Sequence, residues 1–327
     1  MIRSVLTAIA LSVPALAAAQ LPSPLPVISA GNARVDHYPA HTANFLNGVQ
    51  GVPSVIYWQQ IGYRALTLDL YLPPGSVPRP ATGFPLVVFI HGGGWLGGDA
   101  HKSSPFADFP GVLASLSARG YVVASIEYRL SSEARFPAQI QDVKAAIRWL
   151  RINASKYGID PARAMTWGVS AGGYLAGLAA VSCNAADLEP KQTGKAYAAV
   201  PVADSVTLSS NVSDCVQGAV TWFGVFDMAT IDDQAKEDKA MSRDAADAPE
   251  WQLLGCFGNS KCDPKRIAAA SPVTYVDRNS SPMLLIVGSG DTLVPYHQTL
   301  EMAEKLKSAG IRHELIVLPG INHSFIG

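Results

Sequence analysis

Met165-Thr166-Trp167-Gly168-Val169-Ser170-Ala171-Gly172-Gly173-Tyr174 is the stretch on which the fold is read. Residues 165–169 form a short apolar run of strand length, and residues 171–181 are small, apolar and long enough for a helix. Ser170 therefore stands at a junction where the chain must turn sharply from strand into helix. Side chains at 168 and 172 would collide in such a turn, which accounts for glycine at both. The turn holds the serine in a strained conformation and lifts its hydroxyl above the sheet. The helix that follows turns free N–H groups and its positive dipole end toward the same point. A small-residue loop without consequence is the alternative, and the strand-to-helix context speaks against it.

Outward from this junction, strands and helices alternate. Residues 66–72 alternate apolar and polar, residues 86–90 are a continuous apolar run, and residues 121–128 form a third strand. Residues 219–222, 283–287 and 314–318 complete the set. Helices are expected over 112–118, from Pro137 through Leu150, over 171–181 and over 297–308, the last closed by Gly310. This order predicts an α/β fold with a mostly parallel sheet and helices on both faces. Residues 20–55, rich in Pro, Gly, Ala and Asn, read as a meandering lead-in. Residues 184–262 are long, polar and loop-rich, and 228–268 reads as an insertion over the sheet edge, either a partial lid or a solvated surface loop.

The run His91-Gly92-Gly93-Gly94-Trp95 follows the buried strand 86–90. Successive glycines leave backbone N–H groups open to close approach, as an oxyanion requires. Gly93 and Gly94, together with Ala171, are the expected donors, and each such donor is worth roughly 3 kcal/mol in a transition state. A phosphate loop would need Lys and Ser/Thr after the last glycine, and neither stands there. His91 is read as structural, a support for the loop.

Asp291 lies in Gly288-Ser289-Gly290-Asp291-Thr292 and His323 in Gly320-Ile321-Asn322-His323-Ser324, each just past a predicted strand. Both should reach the same sheet edge as Ser170. A serine hydroxyl needs an imidazole to take its proton, and the imidazole needs a carboxylate to fix its tautomer. His37, His41, His101, His297 and His313 are poorer bases by position, and Asp227 is the rival acid.

Bulk composition narrows the function. The 327 residues are 48% hydrophobic, with 25 basic against 26 acidic side chains. That balance lacks the basic surplus of a nucleic-acid binder. No stretch is apolar enough for a membrane span, which needs roughly 20 residues. Residues 1–19 read as a Sec-type signal peptide: a positive start at Arg3, an apolar run, and Ala17-Ala18-Ala19 before cleavage. A secreted or periplasmic location follows, and there disulfides are expected. Cys256 and Cys262 flank a turn-forming Gly258-Asn259 and should pair, leaving Cys183 with Cys215. The spacings do not fit a zinc site, and no metal or cofactor is called for.

Taken with Tyr128-Arg129-Leu130, Phe136-Pro137-Ala138, Gly290-Asp291-x-x-Val294-Pro295 and Trp222-Phe223-Gly224 with Asp227, these motifs resemble the HGGG-type α/β-hydrolases. These include the hormone-sensitive-lipase-like and type-B carboxylesterase-like families. The chain looks most like exported bacterial carbohydrate esterases of the bifunctional feruloyl/acetylxylan esterase type. The resemblance spans roughly residues 60–325. It implies one α/β-hydrolase domain over 20–327, in which nucleophile, acid and base follow one another along the chain. It also implies cofactor-free hydrolysis of carboxylic esters, with aryl or acetyl esters on plant polysaccharide as the suggested substrates. By the same analogy Arg129 and Asp142 are scaffold residues, and a buried Arg129 beside Glu127 reads as a structural ion pair. Family members usually carry a further helix after the catalytic histidine. This chain stops at Gly327, so either that helix is dispensable or the sequence is a fragment.

Trp95, Leu96 and Tyr174 are the expected pocket residues. Amide or peptide cleavage on the same three residues, and a non-catalytic exported binding protein of this fold, are the rival functions. The expected partner is a small or polysaccharide-linked ester. Feruloyl, acetyl, short-chain and polyester substrates stay open, and oligomeric state is not legible.

Overall fold

The computed structural model describes residues 41–60, 62–191, 212–258 and 261–326. The expected signal peptide, residues 1–19, lies outside them. Nine strands form one sheet: β1 (Ala43–Asn44), β2 (Gln50–Gln59), β3 (Ala65–Leu72), β4 (Phe84–Ile90), β5 (Val122–Ile126), β6 (Ile159–Val169), β7 (Ala219–Trp222), β8 (Met283–Gly288) and β9 (His313–Leu318). Their order is β1-β2-β3-β5-β4-β6-β7-β8-β9. The first three strands join antiparallel, and β3 meets β5 antiparallel. From β5 to β9 every pairing is parallel.

β4 shows why its run is continuously apolar. Leu86, Val88 and Ile90 point into one core cluster, while Val87 and Phe89 point into another on the opposite face. Helix α1 (Phe109–Ser117) covers the second face, sending Phe109 against Phe89 and Trp167. Asp108 caps it, its carboxylate accepting from Gly111 N at 2.9 Å, and a proline in the first turn fixes the start. The first face is covered by α2 (Ala138–Ile152) and α4 (Ala171–Val181). Burying each large side chain in these clusters contributes roughly 1.5–3 kcal/mol. The short α3 (Ala154–Tyr157) leads into β6, and α8 (His297–Ser308) packs along β8 and β9.

The lead-in reading of 20–55 is corrected in part: residues 43–44 and 50–55 belong to strands. β2 is irregular, with register shifts between Val52 and Val55 and between Ile56 and Trp58, and Ser54 at φ 57°. Gly51, Pro53 and the bulges break the alternation that would have betrayed a strand.

The expected partner of Arg129 is also corrected. Its guanidinium grips Asp142 at 2.6–3.0 Å, with both groups buried. Burial pushes Asp142 up to about 6, against the opposing pull of Arg129. Glu127 instead accepts from Ala100 N at 2.7 Å and faces Arg64.

Both expected disulfides, Cys183–Cys215 and Cys256–Cys262, are present. Between β7 and β8 lie three short helices, α5 (Ile231–Glu237), α6 (Pro249–Leu254) and α7 (Pro264–Ala269), so the stretch read as loop-rich carries its own structure. Among the described residues no helix is long and apolar enough to cross a membrane.

Candidate active site

Ser170 leaves β6 as the residue that caps α4, at φ 54° and ψ −121°. A non-glycine residue held so costs about 1–3 kcal/mol and persists only where its surroundings dictate it. Here they do. Ser170 N donates to Trp222 O on β7 at 2.9 Å, and Tyr174 N donates to Ser170 O at 2.9 Å. A Cβ at Gly168 would lie 2.0 Å from Gly172 O, and one at Gly172 would lie 2.0 Å from Ile90 O. The two glycines are thus required by contact with backbone, as the motif implied.

The glycine run follows β4 and passes the same point. Gly93 sits at φ 110°, its carbonyl accepting from Leu96 N and Gly97 N at 3.0 and 3.2 Å. His91 at the head of the run is buried, with its ring stacked on Tyr128 at 4.3 Å and its Nδ1 2.7 Å from Gly92 O. Burial pushes its pKa below the ordinary histidine value, and the Gly92 carbonyl opposes that fall.

Asp291 and His323 sit on loops that end β8 and β9. The imidazole Nδ1 lies 2.7 Å from Asp291 Oδ2, while Oδ1 accepts from Leu293 N and Val294 N at 2.8 and 2.9 Å. The ring of His323 packs against Phe223 at 4.4 Å. Asp227 makes no such contact in its own surroundings: its Oδ1 accepts from Ala229 N at 2.7 Å and Ser271 Oγ at 3.3 Å. The remaining described histidines belong elsewhere, His101 against Asp69, His297 against Asp238, His313 against Ile311 O, and His41 exposed ahead of β1.

Ser170, Ala171, Gly93, Gly94 and His323 line one cavity of about 510 Å³. Trp95 and Leu96 line it too, as expected. Tyr174 does not: it is fully buried and meets Trp95 edge-on at 5.1 Å, so it belongs to the core beneath the site. Met241, Arg243, Pro249, Glu250 and Leu293 line the same cavity. Arg243 pairs with Glu250 and donates to Leu293 O, and burial pushes the Glu250 carboxyl up against the pull of Arg243. Sequence reading assigned no role to Arg243 or Glu250. Their only trace in the sequence is that charged residues crowd between Asp232 and Glu250. A second cavity, of about 490 Å³, opens at the other end of the strands, where none of the motif residues lies. Among the described residues no group of three or more His, Cys, Asp or Glu side chains is arranged to hold a metal.

A parallel-dominated sheet that carries a serine elbow, a glycine run and an aspartate–histidine pair at the same strand ends defines an α/β-hydrolase. Residues 68–306 match the family described as BD-FAE, and the chain belongs to that family. Esterase LipC of Mycobacterium tuberculosis is 29% identical over 263 residues, which are 80% of this chain and 57% of LipC. The chain spans about half the length of the curated relatives it matches, 55% of LipQ and 54% of LipM. Among solved structures, a truncated form of a carbohydrate esterase from gut microbiota is 28% identical with a TM-score of 0.68, covering 86% of this chain and 92% of that one. A bifunctional GH43-CE protein of Bacteroides eggerthii is 32% identical with a TM-score of 0.66, covering 87% of this chain and 37% of that one. The resemblance to carbohydrate esterases drawn from the motifs is borne out.

Proposed function

We propose that the chain is a serine esterase that cleaves carboxylic esters through an acyl-enzyme on Ser170. The observation that carries this reading is the 2.7 Å contact of His323 Nδ1 with buried Asp291, on the rim of the cavity that also holds Ser170. With Nδ1 donating to the carboxylate, Nε2 is the basic nitrogen left to receive the hydroxyl proton. Ser170 Oγ attacks the ester carbonyl as His323 takes its proton. The oxyanion is met by the N–H groups of Gly93, Gly94 and Ala171, the last at a helix start where N–H groups lack intrahelical partners. His323 returns the proton to the departing alcohol, and water then repeats the sequence on the acyl-enzyme.

LipC and the gut carbohydrate esterase support ester over amide. The gut carbohydrate esterase favours an ester carried on carbohydrate, and the motif resemblance suggests an acetyl or feruloyl group there. The segment 228–268 acts as a cover, since Met241, Arg243, Pro249 and Glu250 line the cavity and Pro249 stands against Gly94. Export fits the two disulfides and the leader-like residues 1–19.

The test is labelling by a fluorophosphonate, with the adduct located by peptide mass, followed by rates on methyl ferulate, acetylated xylan, p-nitrophenyl butyrate, a long-chain ester and a matched p-nitroanilide. We expect the adduct on Ser170 and turnover of the short or carbohydrate-linked esters. An unlabelled Ser170, or faster cleavage of the anilide than of any ester, would overturn the reading.

A further inference from the structure

The base sits on a loop with little regular structure to hold it. His323–Phe325 is a single 3-10 turn, and Ser324 and Phe325 both have positive φ, at 62° and 57°. Helices and strands fix a side chain better than such a loop does. The rings of His323 and Phe325 pack on Phe223, and one side chain holds the backbone at the base. Asn322 Oδ1 accepts from Thr292 N at 3.0 Å, from Thr292 Oγ1 at 3.1 Å and from His323 N at 2.6 Å. Two of these three donors are backbone N–H groups, so the atom they meet must be the amide oxygen. Thr292 directly follows the acid, and His323 is the base. A single carbonyl thus ties both loops together within one residue of each functional group. Thr292 is anchored from its far side as well, its carbonyl accepting from Met241 N of the cavity wall at 2.7 Å.

We propose that Asn322 is the positioning residue of this site, fixing the backbone from which His323 reaches Asp291 at the cavity that Ser170 also lines. The proposal rests on the serine-esterase reading above and adds a residue to it. Other links between the two loops lie further from the reacting groups: Gly320 N donates to Ser289 Oγ at 2.9 Å, and Gly290 N donates to Ile321 O at 3.0 Å. These keep the strand ends together. They do not set the backbone amide of the base itself.

The test compares Asn322→Leu, which keeps the size and removes the acceptor, with Asn322→Asp, which keeps an acceptor at the same place. Rates are measured on p-nitrophenyl acetate, and Ser170 labelling by a fluorophosphonate is timed per folded molecule. Displacing a reacting group by an ångström costs on the order of 100-fold, so Asn322→Leu should lower kcat by about 10- to 100-fold and slow labelling in parallel. KM should change by less than about twofold, because the interaction lost is one used in reaching the transition state. Asn322→Asp should restore most of kcat. A role confined to stability would lower the melting temperature without changing the labelling rate of the folded fraction. Wild-type kcat in Asn322→Leu overturns the proposal, and so does equal impairment of the two variants. Should Asn322→Leu fail to fold, Asn322→Ala removes the acceptor without added bulk, and an unchanged kcat and labelling rate there would overturn the proposal. Failure of the wild-type protein to be labelled would instead sink the esterase reading, so the two failures are distinct.

Discussion

Asp291 Oδ2 and His323 Nδ1 meet at 2.7 Å, with the carboxylate side chain fully buried and the imidazole 11% exposed. The carboxylate is itself fixed, since its other oxygen takes two backbone N–H groups. Geometry of this kind serves to hold one tautomer of the ring.

Replacing Asp291 by Asn tests that directly. The amide oxygen can keep the two backbone donors, so the loop should fold as before. Its NH₂ group would then face Nδ1 and favour the wrong tautomer. We expect kcat on p-nitrophenyl acetate to fall by about 10³–10⁴-fold with the circular dichroism spectrum unchanged.

Gly172→Ala should damage the elbow itself. The added methyl would sit 2.0 Å from Ile90 O, and backbone cannot move aside as a side-chain tip can. Strand β4 or helix α4 must shift, at a cost of about 1–3 kcal/mol or more. Urea unfolding should show that loss, and Ser170 labelling should slow beyond what the unfolded fraction explains.

Asp142→Asn strands a buried guanidinium. Arg129 would keep its burial and lose its counter-charge, which costs about 3–5 kcal/mol. The double replacement Arg129→Met with Asp142→Leu should be much less harmful than Asp142→Asn alone. Denaturation midpoints of the three proteins decide the matter.

His91 predicts an acid-side weakness. Burial holds its folded pKa below the ordinary value near 6.5. The unfolded chain therefore binds the proton more readily, and stability present above about pH 6.5 is lost as pH falls toward the lower folded value. The slope should reach up to about 1.4 kcal/mol per pH unit for the one proton. His91→Gln should flatten that part of the stability–pH curve.

The two disulfides should differ in worth. They close loops of 32 and 6 residues, and loop entropy assigns about 4 and about 2 kcal/mol to them. Removing the Cys183–Cys215 pair by double alanine replacement should lower the melting temperature more than removing Cys256–Cys262.

What could be read from the chain, and what could not, follows from how each feature is encoded. The parallel strands announce themselves because both faces are buried, so Leu86–Ile90 is apolar throughout. The elbow is legible because its glycines stand where a sharp strand-to-helix turn presses backbone on backbone, at Gly168 against Gly172 O and at Gly172 against Ile90 O. β2 was hidden because Pro53 and two bulges erase its period, and its place is set by pairing with β3. Tyr174, expected among the pocket residues, lies one turn beyond Ser170. Ser170 precedes the helix at positive φ, so its side chain does not share the helix's phase, and Tyr174 points into the core. The partner of Arg129 depended on how α2 packs, which no local pattern announces. Asn322 left no signal, since a lone asparagine beside a histidine acquires meaning only when a distant threonine arrives.

The wall made by Met241, Arg243, Pro249 and Glu250 hangs from a stretch that departs after β7 and returns at β8, two strands already in register with each other. Its course is rooted in the core through Trp251, Leu253 and Leu254, and Met241 N holds Thr292 O, so what can vary is the set of side chains it turns to the cavity. On the esterase reading, exchanging the side chains at Met241 and Pro249 with the backbone left in place would alter which esters are admitted and leave the serine and its base as they stand.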